Sequence, residues 1–129
     1  MIHPKYININ RILGAMTFLI SFIVYFDTMA PSVSYWDCGE FIAVSYTLGV
    51  PHPPGSPLFL LLGRIASMLP ISEDIAFRVN LLSPLASAFS VLFLYFIIVQ
   101  LVNHWRGKIE TNTDALIAFG AGVVGSLTF

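Results

Sequence analysis

Ser34 to Phe59 reads SYWDCGEFIAVSYTLGVPHPPGSPLF, and it gathers two acids, one cysteine, one histidine and four prolines between apolar flanks. An acid pair where a loop meets a greasy segment can touch both a lipid-borne reactant and a water-borne one. Asp37 could accept a proton from an attacking hydroxyl, a role that needs hydrogen-bond reach and a suitable pKa. Glu40 could hold the acceptor, hold a divalent metal ion, or tune Asp37 by like-charge repulsion. His52 could donate a hydrogen bond to a phosphate or orient an acid. Arg64 and Arg78 could bind a lipid phosphate, because guanidinium forks match phosphate oxygens.

Each of these residues also has a purely structural account. Asp37 three residues before Glu40 resembles a capping box with Asp in the cap position, and carboxylates at a helix start suit the macrodipole. The two accounts are compatible, since a capping carboxylate is rigidly held, as a base must be. His52 could be a turn histidine. Arg64 could snorkel, and Asp74 stands four residues before Arg78 as a helical ion pair. Cys38 receives no role beyond that of a small residue at a crowded helix start. Tyr35 and Trp36 suit an interfacial aromatic belt.

The elements that must position these groups follow from composition. Of 129 residues, 57% are hydrophobic and only 10% charged, against about 25% charged in a soluble domain; mean hydropathy is +0.82. The net charge of −1 gives no nucleic-acid footprint. One cysteine excludes an internal disulfide, and dispersed His3, His52 and His104 do not have zinc-site spacing.

Ile12 to Phe26 is free of charge and makes a full span if Arg11 snorkels and Asp27 lies near the other interface. Lys5 and Arg11 ahead of it also resemble a secretory leader. The bulky residues that follow, and the equally apolar segments further on, favour a retained helix. Leu81 to Val102 is a full-length span with Pro84 in its first turn. Ala115 to Phe129 begins a third, capped by Thr113 or Asp114. Leu58 to Leu69, between Pro57 and Pro70 and carrying Arg64, is too short to cross and reads as a helix lying on the membrane or re-entering it.

Basic residues then set the topology. Lys5 and Arg11 precede the first span, and Arg106 and Lys108 follow the second. Two intervening spans put both clusters in the cytoplasm. The expected organisation is span 1 over about 10–29, a non-cytoplasmic loop over about 30–79 with short helices over 37–48 and 58–69, span 2 over about 80–102, a cytoplasmic loop over 103–113, and the start of span 3 over 114–129. In the loop, residues 37, 40, 41, 44 and 48 share one helical face, and Gly49 is a suitable C′ residue. The run out of the sequence inside an apolar stretch is the pattern expected of the N-terminal part of a longer protein. No repeat and no low-complexity tract is evident.

GAGVVG, Gly120 to Gly125, matches G-x-G-x-x-G. A dinucleotide fold needs a strand before it and an acid about 20 residues later, and the sequence ends first. A small-residue helix face, with Ala121 and Gly125 four apart, is the plainer account.

The stretch APSVSYWDCGEFIAVSYTLGVPHPPGSPLFLLLGRI, with WDCGEF followed by GVPHPPGSP, resembles the start of the glycosyltransferase family 117 membrane proteins (domain of unknown function 2723), common in Bacteroidetes and with a eukaryotic protein O-mannosyltransferase relative. FGAGVVGSLTF is similar to that family's third span. The resemblance implies an all-α polytopic GT-C-type fold with its active site in a helical first non-cytoplasmic loop. It implies a polyprenyl-phosphate sugar donor and an acceptor hydroxyl, a mannose-like sugar moving to a protein Ser or Thr with inversion. It places the loop acid on Asp37, its companion on Glu40, and His52 and Gly55 in the HPPG stretch. It names no certain cofactor and leaves a divalent metal open. The implied setting is a bacterial inner membrane, N-terminus cytoplasmic and the 30–79 loop periplasmic. The family's enzymes are far longer, so this piece alone is expected to be inactive. The alternative is a non-enzymatic multi-pass protein, a transporter fragment or an assembly subunit, in which the acids cap a helix or line an ion path.

Overall fold

A computed structural model describes residues 3–53 and 55–128. Pro54 of the HPPG stretch and the expected domain limits at residues 1 and 129 lie outside the described residues. The chain is all-helical: α1 (Pro4–Thr28), α2 (Cys38–Thr47), α3 (Pro57–Met68), α4 (Ile75–Asn80), α5 (Leu82–Arg106) and α6 (Asn112–Leu127). It divides into two units, one of residues up to Tyr25 and from Ala86 onward, the other Phe26–Leu85.

In the first unit, α1 opens on Pro4, which suits a first helical position because its missing N–H would have no helical partner there. Among the described residues, α1 and the run Ile75–Arg106 that contains α5 are the two helical stretches long and apolar enough to cross a bilayer. At 25 residues each α1 and α5 reach about 37 Å, more than the ~30 Å hydrocarbon layer. The burial pattern of α1 is the reverse of a soluble helix. Gly14, Thr17 and Ser21 are buried, while Ile12, Leu19 and Ile23 face outward, Ile23 at 62% exposure. Water would bury the large apolar residues; helices in lipid pack through small ones. A Cβ on Gly14 would lie 2.8 Å from the Phe96 ring.

The same logic seats α6. Gly122 abuts Tyr95 and Val99 of α5, and Gly125 abuts Ile98. The sequence pattern pointed to Ala121 and Gly125; Ala121 is exposed, and the buried face is Ala115, Ala118, Gly122 and Ser126 with Phe119 beside them. GAGVVG is thus mid-helix packing surface. The cap of α6 also differs from expectation. Thr111, one turn ahead of Ala115, accepts from the Asp114 N–H and Asp114 answers to the Thr111 N–H, so Asp114 is the inner partner of a capping box and Thr113 has no capping role. Two tyrosines tie the unit together: Tyr6 Oη donates to Asn112 Oδ1 (2.7 Å) and Tyr95 Oη to Asn10 Oδ1 (3.0 Å).

In the second unit, α2, α3 and α4 pack around Ile42, Ala76 and Val79, with Phe59 and Ile75 against them. The inward face of α2 is Ile42 and Ser45, not the face that the sequence pattern aligned through Phe41, Val44 and Leu48, on which Leu48 is exposed. The reason is Gly63 on α3. Its missing side chain lets Ser45 approach so closely that a Cβ there would be 2.5 Å from Ser45 Oγ. Leu48 itself takes the left-handed conformation (φ 53°) and its N–H bonds to Val44 O. Gly49, expected to make that turn, lies one residue beyond.

Candidate functional site

Asp37 stands at the N-cap of α2, but the expected capping box does not form. Its backbone is already helical (φ −74°, ψ −1°), and its side chain makes no cap hydrogen bond. A capping side chain needs a more extended backbone to reach back over the first turn. Thr111 and Asp74, which do cap, have ψ of 162° and 116°. Freed from the box, Glu40 turns to the proline segment. Its Oε1 accepts the His52 backbone N–H (2.8 Å) and its Oε2 lies 2.7 Å from His52 Nδ1. An ionised carboxylate has no proton to give, so Nδ1 carries the hydrogen. That leaves Nε2 as the ring atom 3.9 Å from Asp37 Oδ2.

The turn that delivers His52 is closed by Gly55, whose N–H donates to His52 O (3.1 Å) at φ +76°, a backbone that favours glycine. The His52 ring also meets Phe41 edge-on, with centroids 5.9 Å apart. The hydrogen bond from the His52 ring, then that from its N–H, holds Glu40 below the usual carboxylate value. In return the Glu40 hydrogen bond, then its charge, raises His52 above an ordinary imidazole. Asp37 is the most exposed of the three side chains near this contact, at 60% against 38% for Glu40.

Asp37 also lines a cleft of about 460 Å³. Trp36, Phe41 and Phe59 give it aromatic walls; Ser56, Asn80 and Ser83 add polar groups. Ser56, the N-cap of α3, likewise makes no side-chain cap bond. Cys38 lines the cleft and is exposed, so the start of α2 is not crowded as expected. Phe59, Asn80 and the two serines carried no sequence signal as site residues. Asn80 is brought in because its Nδ2 donates to the carbonyls of Ala30 and Ser32 (3.0 and 2.9 Å).

Arg64 and Arg78 are engaged elsewhere. Arg64 Nη1 donates to Tyr46 O in the last turn of α2 and lies over the Tyr46 ring. Arg78 Nη1 donates to Ser67 O (2.5 Å) and Leu69 O (3.1 Å) at the end of α3. Both cations therefore satisfy carbonyls that a helix C-terminus leaves open. Of the expected Asp74–Arg78 ion pair a charge interaction persists, while the Asp74 carboxylate caps α4 through the Ala76 N–H (2.8 Å).

Asp37, Glu40 and His52 offer two carboxylate oxygens and an imidazole nitrogen within 4.8 Å of one another. That donor set suits a divalent first-row cation, which the dispersed histidine spacing did not suggest. The arrangement defines a class: an all-helical chain with, among the described residues, two helices apolar enough for a bilayer, carrying a carboxylate–histidine site beside an aromatic cleft. Comparison narrows it. Residues 37–129 match the family profile described as protein O-mannosyl-transferase TMEM260 N-terminal domain, and the chain belongs to that family. It is 38% identical over 98 residues to protein O-mannosyl-transferase tmem260 of Dictyostelium discoideum, covering 74% of this chain and 12% of that protein. It is 37% identical over 86 residues to protein O-mannosyl-transferase TMEM260 of Mus musculus, covering 67% and 12%. The chain therefore spans about an eighth of the length of these relatives. No solved structure matches.

Proposed function

We propose that this chain is the N-terminal part of an integral-membrane glycosyltransferase of GT-C type, in family 117, that moves a mannose-like sugar from a polyprenyl phosphate to a protein Ser or Thr. The observation that carries the reading is the convergence of Asp37, Glu40 and His52 beside a cleft. In this scheme Asp37 takes the proton of the acceptor hydroxyl as its oxygen attacks the sugar's anomeric carbon. The bond from that carbon to the phosphate oxygen breaks, and the lipid phosphate leaves with the electron pair. A single displacement inverts the anomeric centre. Glu40 holds His52, and His52 Nε2 faces Asp37, which supports a division of labour: Asp37 as base, Glu40 and His52 as its positioning pair. A divalent cation bound by the three residues would add charge at the same point.

The inward small residues and outward large ones on α1 support a membrane setting. The basic clusters favour a cytoplasmic N-terminus, with the 30–79 loop outside, periplasmic in a bacterium. The test is transfer from labelled polyprenyl-phosphate mannose to a Ser/Thr peptide by the full-length protein. Transfer that is lost in Asp37→Asn supports the reading; undiminished transfer in that variant removes Asp37 as base.

A further inference from the structure

We propose that the cleft beside Asp37 is the berth of the sugar ring, with the indole of Trp36 as its stacking platform. This rests on the glycosyl-transfer reading above. Trp36 has a left-handed backbone (φ 63°) and is 95% exposed. A bulky residue at positive φ is a genuine outlier, and such strain collects at ligand sites. Exposed as it is, Trp36 recovers little of that cost through packing. An anchor in the membrane interface needs no such backbone; what the residue does gain is a place on the wall of the cleft that Asp37 lines.

The lining specifies the occupant. Phe41 and Phe59 meet edge to face, centroids 5.9 Å apart at 88°, and with Trp36 they offer flat apolar surface. Asp37 and Ser56 hold N-cap positions yet leave their side chains out of the caps. Asn80 has its N–H groups on Ala30 and Ser32, so its Oδ1 is what it can offer a hydroxyl. The lining contains one carboxylate and no cation, while Arg64 and Arg78 serve helix ends. A phosphate in the cleft would face Asp37, and the one cationic group near it, the His52 ring 3.9 Å from Asp37, is already held by Glu40. A neutral pyranose suits it: C–H faces against the aromatic rings, hydroxyls on Asp37, Ser56 and Asn80. The lipid phosphate then stays outside the cleft.

Trp36 and Trp105 are the chain's two tryptophans. In Trp105→Phe, with any tryptophans beyond this segment also replaced, Trp36 reports alone. The full-length protein in nanodiscs is titrated with methyl α-mannopyranoside and, separately, with inorganic phosphate. The expected result is a saturable shift of Trp36 emission with the sugar and none with phosphate. Calorimetric affinity for the sugar should fall at least about ten-fold in Trp36→Ala and stay within about three-fold in Trp36→Phe, with helical content unchanged. Emission quenched by brominated lipid and indifferent to the sugar would make Trp36 an interfacial anchor and overturn the proposal. The transfer assay, run in parallel, separates the two readings. A sugar-dependent shift without transfer keeps the berth and defeats the transferase. Transfer by Trp36→Ala with an unchanged donor KM does the reverse.

Discussion

Asp37, Glu40 and His52 make different demands on their surroundings, and each yields its own prediction. Asp37 has no cap bond to maintain, so Asp37→Asn should leave the fold intact while transfer falls by about 100-fold or more, the range for a lost general base; initial rates and circular dichroism on the same sample check this. The Glu40–His52 contact carries a pH signature. His52 is raised above 6.5 in the folded chain, so its share of the stability is complete below that pH and is lost as pH rises through the raised value. Glu40 is lowered from 4.5, so its share is complete above that pH and is lost as pH falls through the lowered value. The clasp is therefore fullest between about pH 4.5 and 6.5. Thermal unfolding against pH should show a dome over that window, flattened in Glu40→Gln. An undiminished dome in that variant would assign the pH dependence to other groups. None of this was legible in the residue spacing, which put Glu40 in a capping box; the helical ψ of Asp37 removed it from the box, and the proline turn gave it another partner.

Among elements, the α2–α3 crossing is the most sensitive point near the site. Gly63→Ala puts a methyl 2.5 Å from Ser45 Oγ and 2.8 Å from its Cβ, an overpacking that should cost about 1–3 kcal/mol. Ser45→Gly in the same chain should recover most of the loss, and denaturation midpoints of the two single variants and the double variant measure it. Additive losses would place the strain elsewhere. The sequence set α3 at Leu58–Leu69 between Pro57 and Pro70, one residue from the observed Pro57–Met68 at each end, because a proline marks a boundary locally. It did not show which face of α2 is buried, because a glycine on another helix decides that. The arginines make the same point: their chemistry suited a phosphate, and two helix C-termini had the nearer claim.

On the scale of the whole molecule, small residues set close helix contacts, at Gly14 against Phe96 and at Gly122 and Gly125 against α5. Gly122→Leu would press on Val99 and Tyr95, where even a Cβ lies within 2.8 and 2.9 Å, and should abolish monodisperse protein in size-exclusion chromatography. Gly120→Ala, where a Cβ meets nothing within 4 Å, should be neutral. The proposed topology has its own check. In Cys38→Ser, a cysteine at Val50, itself exposed, should react with an impermeant maleimide in intact cells, and one at Lys108 only after permeabilisation. The opposite pattern would move the Asp37 site to the cytoplasm and end the polyprenyl-phosphate reading.

Composition and the spacing of apolar runs by themselves pointed to two full-length apolar helices and the start of a third, and the two long ones stand among the described residues, because helical periodicity and span length are local properties of the chain. The pairing of WDCGEF with GVPHPPGSP also singled out the stretch in which the structure brings Asp37, Glu40 and His52 together. Only the tertiary structure decided which charged groups meet. Twelve residues separate Glu40 from His52, and nothing short of the folded proline turn fixes whether a carboxylate that far away is a helix cap, a cation's partner or the clasp of a histidine.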